Sequence, residues 1–328
     1  LSLVIGHWSL VTGHWSLTGH CRVDNRVLSI NIERVPRMKT GVCSYCFNKL
    51  FLDGEIDIPG AIRYVGEKTE AECYEPLSRY WDHGRDEAEQ AKEARDILDE
   101  VGLDVTCYTL DSDFAVYDDE ASQECIEICI GRLEIAKILG ADRIRLDPRS
   151  SLPGPPEETD FDDVLERMAI SMQQIADDAA AMDITVGVEN HGRHLGRIAQ
   201  TERLVDLVDR TNFGVNIDPT NFRAVFGEDH IEGVRRLAKD VVHAHLKDHY
   251  ISNEPREGEG WRQCPSGEYI KNAIGGEGDA DWPQIIRILK DAGYDGTVSL
   301  EVVDPNDILG SITTGVANLK KVIATATS

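Results

Sequence analysis

Val186-Gly-Val-Glu-Asn-His-Gly192 is an apolar run that stops abruptly in an acid, an amide and an imidazole. A buried parallel strand that delivers polar groups at its C-terminal tip reads this way. Three later stretches repeat the form: Gly214-Val-Asn-Ile-Asp218, Val241-Val-His-Ala-His245 and Thr297-Val-Ser-Leu-Glu301 each run a short β-rich segment into a residue able to ligate a metal.

Outward from these tips, short β-like runs alternate with longer helix-like ones from Met38 onward. Earlier strands are expected at Thr40–Phe47, Ala71–Leu77, Leu103–Leu110 and Asp142–Asp147, and helices at Ile58–Lys68, Asp86–Val101, Ala121–Leu139 and Phe161–Met182. Gly102 and Gly140 follow two of these helices, where a left-handed residue commonly ends a helix. The helix from Phe161 carries Val164, Leu165, Met168, Met172, Ile175, Ala176 and Ala179 at the spacing of one buried face. Further helices are expected at Thr201–Val208 and Asp307–Ala324. Residues 38–328 thus hold eight strand–helix units of about 36 residues each, the size of an α/β (β/α)8 TIM barrel. The alternation makes the strands parallel, since each helix is a crossover. No linker-like break divides the count, so 38–328 is expected to be one barrel domain. An open doubly wound sheet is the competing architecture, but no Gly-x-Gly-x-x-Gly loop follows the first strand.

In a parallel barrel all strand ends meet at one mouth, whatever their separation along the chain. Residues two apart on a strand share a face. Val298, Leu300 and Val302 then face the helices while Thr297, Ser299 and Glu301 face the axis; likewise Val215 and Ile217 point outward, and Asn216 and Asp218 inward. Glu189, Asp218, His245 and Glu301 therefore converge. Three carboxylates in one pocket repel unless a cation neutralises them, so a divalent metal is expected. Three oxygen donors and one imidazole suit Mn²⁺ or Mg²⁺, with Co²⁺ or Zn²⁺ as alternatives. Lys247 and Arg145 also face the axis; a plain salt bridge is the default for each, with hydroxyls, a carboxylate or a phosphate of a substrate as the alternative ligands. His191 shares the face of Glu189 as a further substrate contact, and His243 sits one layer beneath the ligands. The insertion Ile251–Asp281, with Gly275-Gly-Glu-Gly278, lies on the mouth side and could serve as a lid.

Val-Glu-Asn-His-Gly (188–192), Asn-Ile-Asp-Pro-Thr-Asn-Phe (216–222), Val-His-Ala-His-Leu-Lys-Asp (242–248) and Gly-Tyr-Asp-Gly-Thr-Val-Ser-Leu-Glu (293–301) resemble the sugar phosphate isomerase/epimerase family, the xylose-isomerase-like TIM barrels. The resemblance runs from about Met38 to the C-terminus. It implies one divalent metal held by Glu189, Asp218, His245 and Glu301, with His245 preferred to His243 because it directly precedes Leu-Lys-Asp. It also implies that Glu189 and Glu301 are the catalytic acid and base. The expected chemistry is loss of a proton beside a carbonyl of a sugar or polyol, through a metal-stabilised enediolate. Its return gives isomerisation or epimerisation; loss of a β-hydroxyl instead gives dehydration, as in inosose dehydratases. Epimerases of this family often carry a histidine where this chain has Asn221, expected here to contact substrate. An endonuclease IV-like nuclease needs many more histidines than the seven after Met38, and a non-catalytic metal-binding barrel is the remaining alternative.

Composition narrows the partners. The 328 residues carry 59 acids against 34 bases, a net charge of −25, which repels nucleic acid and anionic lipid. The bias resembles proteins of salt-loving organisms, where salt screens the self-repulsion. No apolar run reaches the roughly 18 residues of a membrane span. The eight cysteines, at 21, 43, 46, 73, 107, 125, 129 and 264, have no regular spacing, and most lie in apolar segments, as buried thiols of a reducing cytoplasm do. Cys43-Ser-Tyr-Cys46 lacks a second pair and is expected in the core. Homo-oligomerisation is compatible with all of this. Residues 1–37 read differently: Gly6-His-Trp-Ser-Leu10 recurs as Gly13-His-Trp-Ser-Leu17 and fades at Gly19-His20. With Met38 the first methionine, 1–37 is expected to be a non-native or disordered extension, with a metal-binding histidine tail as the alternative.

Overall fold

The computed structural model describes residues 38–114, 119–148, 161–301 and 304–326, so expectations for the N-terminal extension lie outside the described residues. Seven strands come first: β1 (Lys39–Cys43), β2 (Cys73–Glu75), β3 (Tyr108–Leu110), β4 (Arg143–Leu146), β5 (Thr185–Glu189), β6 (Phe213–Ile217) and β7 (Val241–Leu246). Three strands of an insertion follow, β8 (His249–Ser252), β9 (Arg262–Gln263) and β10 (Tyr269–Asn272), and then β11 (Thr297–Leu300). The main sheet runs β2-β1-β11-β7-β6-β5-β4-β3, and every pair in it is parallel. Its two edges meet through bridges Cys73↔Asp104 and Leu77↔Thr109, the Thr109 N–H donating to the Pro76 carbonyl at 2.9 Å. Eight parallel strands with helices between them thus form a nearly closed TIM barrel, as expected.

Local signals set the helix ends. Asp86 accepts the Glu89 N–H and caps Glu87–Val101, which Gly102 ends in the left-handed region at φ 74°. Helix Phe161–Ala180 buries the predicted stripe from Val164 to Ala179 against the barrel. Some expectations differ in detail. The first strand stops at Cys43, because Ser44–Phe47 coils into a 3₁₀ turn that buries Phe47 and brings the Cys46 thiol to the Leu300 carbonyl at 3.2 Å. Helices Pro219–Phe226, His230–Leu237 and Trp282–Asp291 were not distinguished from the sequence, although Asp218, Asp229 and Asp281 cap them. The seven described cysteines are free thiols, and all but Cys125 are buried. Among the described residues no helix is long and apolar enough to cross a membrane.

The insertion is a small antiparallel sheet, ordered β8-β10-β9, and it is tethered at two points. Arg223 of helix Pro219–Phe226 forms a bidentate pair with Glu268. The buried Asp248 carboxylate accepts the backbone N–H groups of His249, Gly276, Gly278 and Ala280 at 2.8–3.2 Å. A side chain on Gly278 would collide with Asp248, so the glycine allows this close approach. Among the described residues none of the insertion lines the cavity at the barrel mouth, which argues for a fixed buttress rather than a lid over it.

Candidate metal centre at the barrel mouth

The four strand tips meet. Glu189 ends β5; Asp218 follows β6 and caps the next helix through Thr220; His245 lies in β7; Glu301 follows β11. All four are buried, none more than 5% exposed. The Lys247 ammonium stands between them, 2.6 Å from Asp218 Oδ2, 2.5 Å from Glu301 Oε2 and 3.8 Å from Glu189 Oε1. His245 Nδ1 faces the same point, 3.4 Å from Glu301 Oε1 and 3.9 Å from Glu189 Oε2. Ligand atoms of Glu189, His245 and Glu301 lie within 4.8 Å of one another.

Electrostatics at this focus are unusual for a protein interior. Burial disfavours the charged form of Glu301, yet Lys247 and His245 hold its pKa well below the ordinary carboxylate range. Burial likewise opposes a charge on His245, but Glu75 and Glu301 raise its pKa to about 9. Lys247 is raised as well, its burial outweighed by Asp218 and Glu301. Asp218 Oδ2 and Glu301 Oε2 share the single Lys247 ammonium, and Glu189 Oε2 is met by the Arg145 guanidinium. Three buried carboxylates and one imidazole nitrogen turned on one point are a donor set that fits a divalent ion.

The remaining predicted residues divide into two groups. Arg145 pairs with Glu189 and lies 3.6 Å from Asp147, the salt bridge that is its ordinary expectation, and it also lines the cavity at the mouth. Asn221 donates from Nδ2 to Glu189 Oε1 at 3.0 Å and lies 3.5 Å from Lys247 through Oδ1. His191 is the outlier. Its Nδ1 lies 3.1 Å from Asp147 Oδ1, and a third of the side chain is exposed at the rim. A cavity of about 80 Å³ above the focus is lined by Cys43, Tyr45, Arg79, Arg145, His191 and Lys247, among others.

Sequence reasoning missed Glu75. It ends β2 and is 2% exposed, with Oε1 2.8 Å from His245 Nε2 and Oε2 2.8 Å from His243 Nε2. Burial opposes its charge, but the two imidazoles outweigh this and hold its pKa well below the usual value. Cys-Tyr-Glu-Pro is a strand ending in an acid, the same signal as the other tips in a three-residue strand. His243 lies beneath His245, as its position two residues earlier implies.

Comparison with known proteins gives a consistent picture. The profile of a family described as xylose isomerase-like TIM barrel matches residues 69–322. An inosose dehydratase of Lacticaseibacillus casei is 25% identical over 144 residues, 43% of this chain and 47% of that protein. The chain therefore spans about half the length of the curated relatives it matches. Among solved structures, D-psicose 3-epimerase with D-tagatose from Clostridium cellulolyticum H10 superposes with a TM-score of 0.67 at 16% identity, over 87% of this chain and 99% of that one. An IolI protein with a bound zinc atom gives 0.65 at 16% identity, over 88% and 98%. Identities this low show the shared fold alone.

Proposed function

Since the chain belongs to the xylose isomerase-like TIM barrel family, we propose that it is a divalent-metal-dependent enzyme that moves a proton at a carbon beside a carbonyl of a small sugar or polyol. One observation carries this reading: Glu189, Asp218, His245 and Glu301 surround a single point at which three buried carboxylates and an imidazole converge on one ammonium. These four residues would hold the ion. When bound, it would supply Lewis-acid stabilisation of the oxyanion that develops as the proton leaves, with Mn²⁺ the favoured ion and Mg²⁺, Co²⁺ or Zn²⁺ the alternatives.

The chain's own groups do the rest. Glu301, held as a carboxylate by the neighbouring Lys247 ammonium, would accept a proton at Oε1 or Oε2. Glu189 is the second carboxylate of the pair, fixed by Asn221 on one oxygen and Arg145 on the other. If one carboxylate takes the proton and gives it back to the adjacent carbon, the result is isomerisation. If the other delivers it from the opposite face, the result is epimerisation. The cavity rim, with Tyr45, Arg79 and His191, offers hydrogen bonds to hydroxyls.

Dehydration of a polyol ketone on the same residues is the second reading. The sequence likeness to an inosose dehydratase favours it, as does Asn221 where family epimerases often place a histidine. Incubation with candidate ketoses, aldoses and inososes in deuterated water tests both. Exchange beside the carbonyl that disappears with chelator and in Glu189→Gln is expected, with loss of water distinguishing the lyase. Retained exchange in Glu189→Gln would refute the assignment of the proton-transfer pair.

A further inference from the structure

Glu75 is not among the residues that line the cavity, yet it grips the imidazole at the focus, His245. Each of its oxygens takes a different ring: Oε1 lies 2.8 Å from His245 Nε2, and Oε2 lies 2.8 Å from His243 Nε2. Thr109 Oγ1 donates to Oε1, so the carboxylate is held from two strands, β3 and β7, and Ser299 Oγ of β11 lies 3.4 Å from His243 Nε2. The two rings stand edge to face, 5.4 Å apart at 82°. β2 is separated from β7 in the sheet by β1 and β11, so this contact spans the barrel interior.

We propose that Glu75 is a positioning residue that commits His245 Nε2 to donation and so turns Nδ1 towards Glu189 and Glu301 as the metal-binding atom. The inference rests on the metal-site reading above. An imidazole binds a metal through one nitrogen while the other donates to an outer partner, which fixes both ring orientation and tautomer. Here the geometry assigns the two nitrogens without ambiguity: Nε2 meets only Glu75 among the described residues, whereas Nδ1 has Glu301, Glu189 and Asn216 Nδ2 within 4 Å. His243 completes the device, because it occupies the second oxygen and leaves Oε1 to His245. In the isosteric Glu75→Gln, only one oxygen remains to accept, and an amide N–H₂ group faces one of the two ring N–H donors.

The test measures zinc and manganese affinity by titration against a competing chelator. Wild type, Glu75→Gln, Glu75→Asp and Cys43→Ser are compared, with the melting temperature in chelator recorded for each. Glu75→Gln is expected to bind about 10- to 100-fold more weakly, and Glu75→Asp to recover part of the loss. In the zinc-loaded wild type, ¹⁵N spectra of labelled histidine should show His245 coordinated through Nδ1 with its Nε2 proton retained. Coordination through Nε2 overturns the proposal even if the Glu75 variants do not fold. A fall in melting temperature with unchanged metal affinity overturns it in favour of a purely structural role. Cys43, whose sulfur lies within 4.8 Å of ligand atoms of Glu75 and His245, controls for direct coordination. An equal loss in Cys43→Ser would make Glu75 part of a separate thiol site and overturn the positioning role. Failure of the wild type to bind either metal would instead refute the underlying metal-site reading.

Discussion

Replacing Lys247 with methionine keeps the length of the side chain and removes the one charge at the centre of the site. Its ammonium lies 2.6 Å from Asp218 and 2.5 Å from Glu301. At an effective dielectric constant of about 20 each contact corresponds to about 6 kcal/mol of Coulomb attraction. The cost of burying the charges offsets most of that. Breaking a buried pair by removing one partner typically costs about 3–5 kcal/mol, because the remaining charge is left uncompensated. For a chain of this size that is a fall of about 10 °C in melting temperature. A divalent ion at the same focus would replace the lost charge, and at 1,000 times its dissociation constant binding restores about 4 kcal/mol. Lys247→Met should therefore melt well below the wild type in chelator and gain more than the wild type from added Mn²⁺. Scanning calorimetry with and without metal reads both effects. Equal melting temperatures in chelator, or equal gains on adding metal, would show that the ammonium and the ion do not share the carboxylates, and the charge argument would fail.

Other consequences follow from particular residues. Glu189→Gln and Glu301→Gln should each lower the rate of carbon-bound deuterium exchange by about 10²- to 10⁴-fold, measured on whichever sugar the wild type exchanges. His249 is buried, and burial together with Arg262 and Lys247 lowers its pKa to about 3. The unfolded chain therefore takes up the proton first, and stability is lost as pH falls from about 6.5 towards 3, by about 1.4 kcal/mol per pH unit. Denaturant midpoints between pH 7 and 5 should fall less steeply in His249→Gln; an identical slope would show that this histidine is not the group responsible. Asp248→Asn keeps the size of the side chain but replaces one acceptor with a donor facing backbone N–H groups, a cost of about 1–3 kcal/mol. Proteolysis should then cut first near Gly275–Gly278, and an unchanged cleavage pattern would count against the tether.

Much of the architecture was legible because period and punctuation agree along this chain. Helix Ile58–Lys68 was expected with the bounds it has, and Glu87–Val101 differs from expectation only in its cap, Asp86. The inward facing of Asn216 and Ser299 follows from strand alternation alone, and their contacts with His245 and His243 agree with it. The insertion was harder to read. Its three strands are two to four residues long and held by turns, so no window is long enough to display a period. Helices Pro219–Phe226 and His230–Leu237 were obscured for a similar reason, being two short segments where a single crossover was anticipated.

Glu75 and Lys247 show where sequence reasoning stops. Both side chains point inward, and alternation could establish that much for each. What alternation cannot give is pairing across the barrel, because it fixes the face of a residue and not its height or its partner. Lys247 read from sequence as a salt bridge by default, with hydroxyls, a carboxylate or a phosphate as other ligands, and it is closest to two carboxylates, Asp218 and Glu301, that the sequence could not name as its partners. Arg145, read the same way, meets Glu189. Both pairings have one cause: three buried carboxylates at one point create a demand for positive charge that any cation within reach will meet. A substrate anion would have to compete with those carboxylates for both side chains.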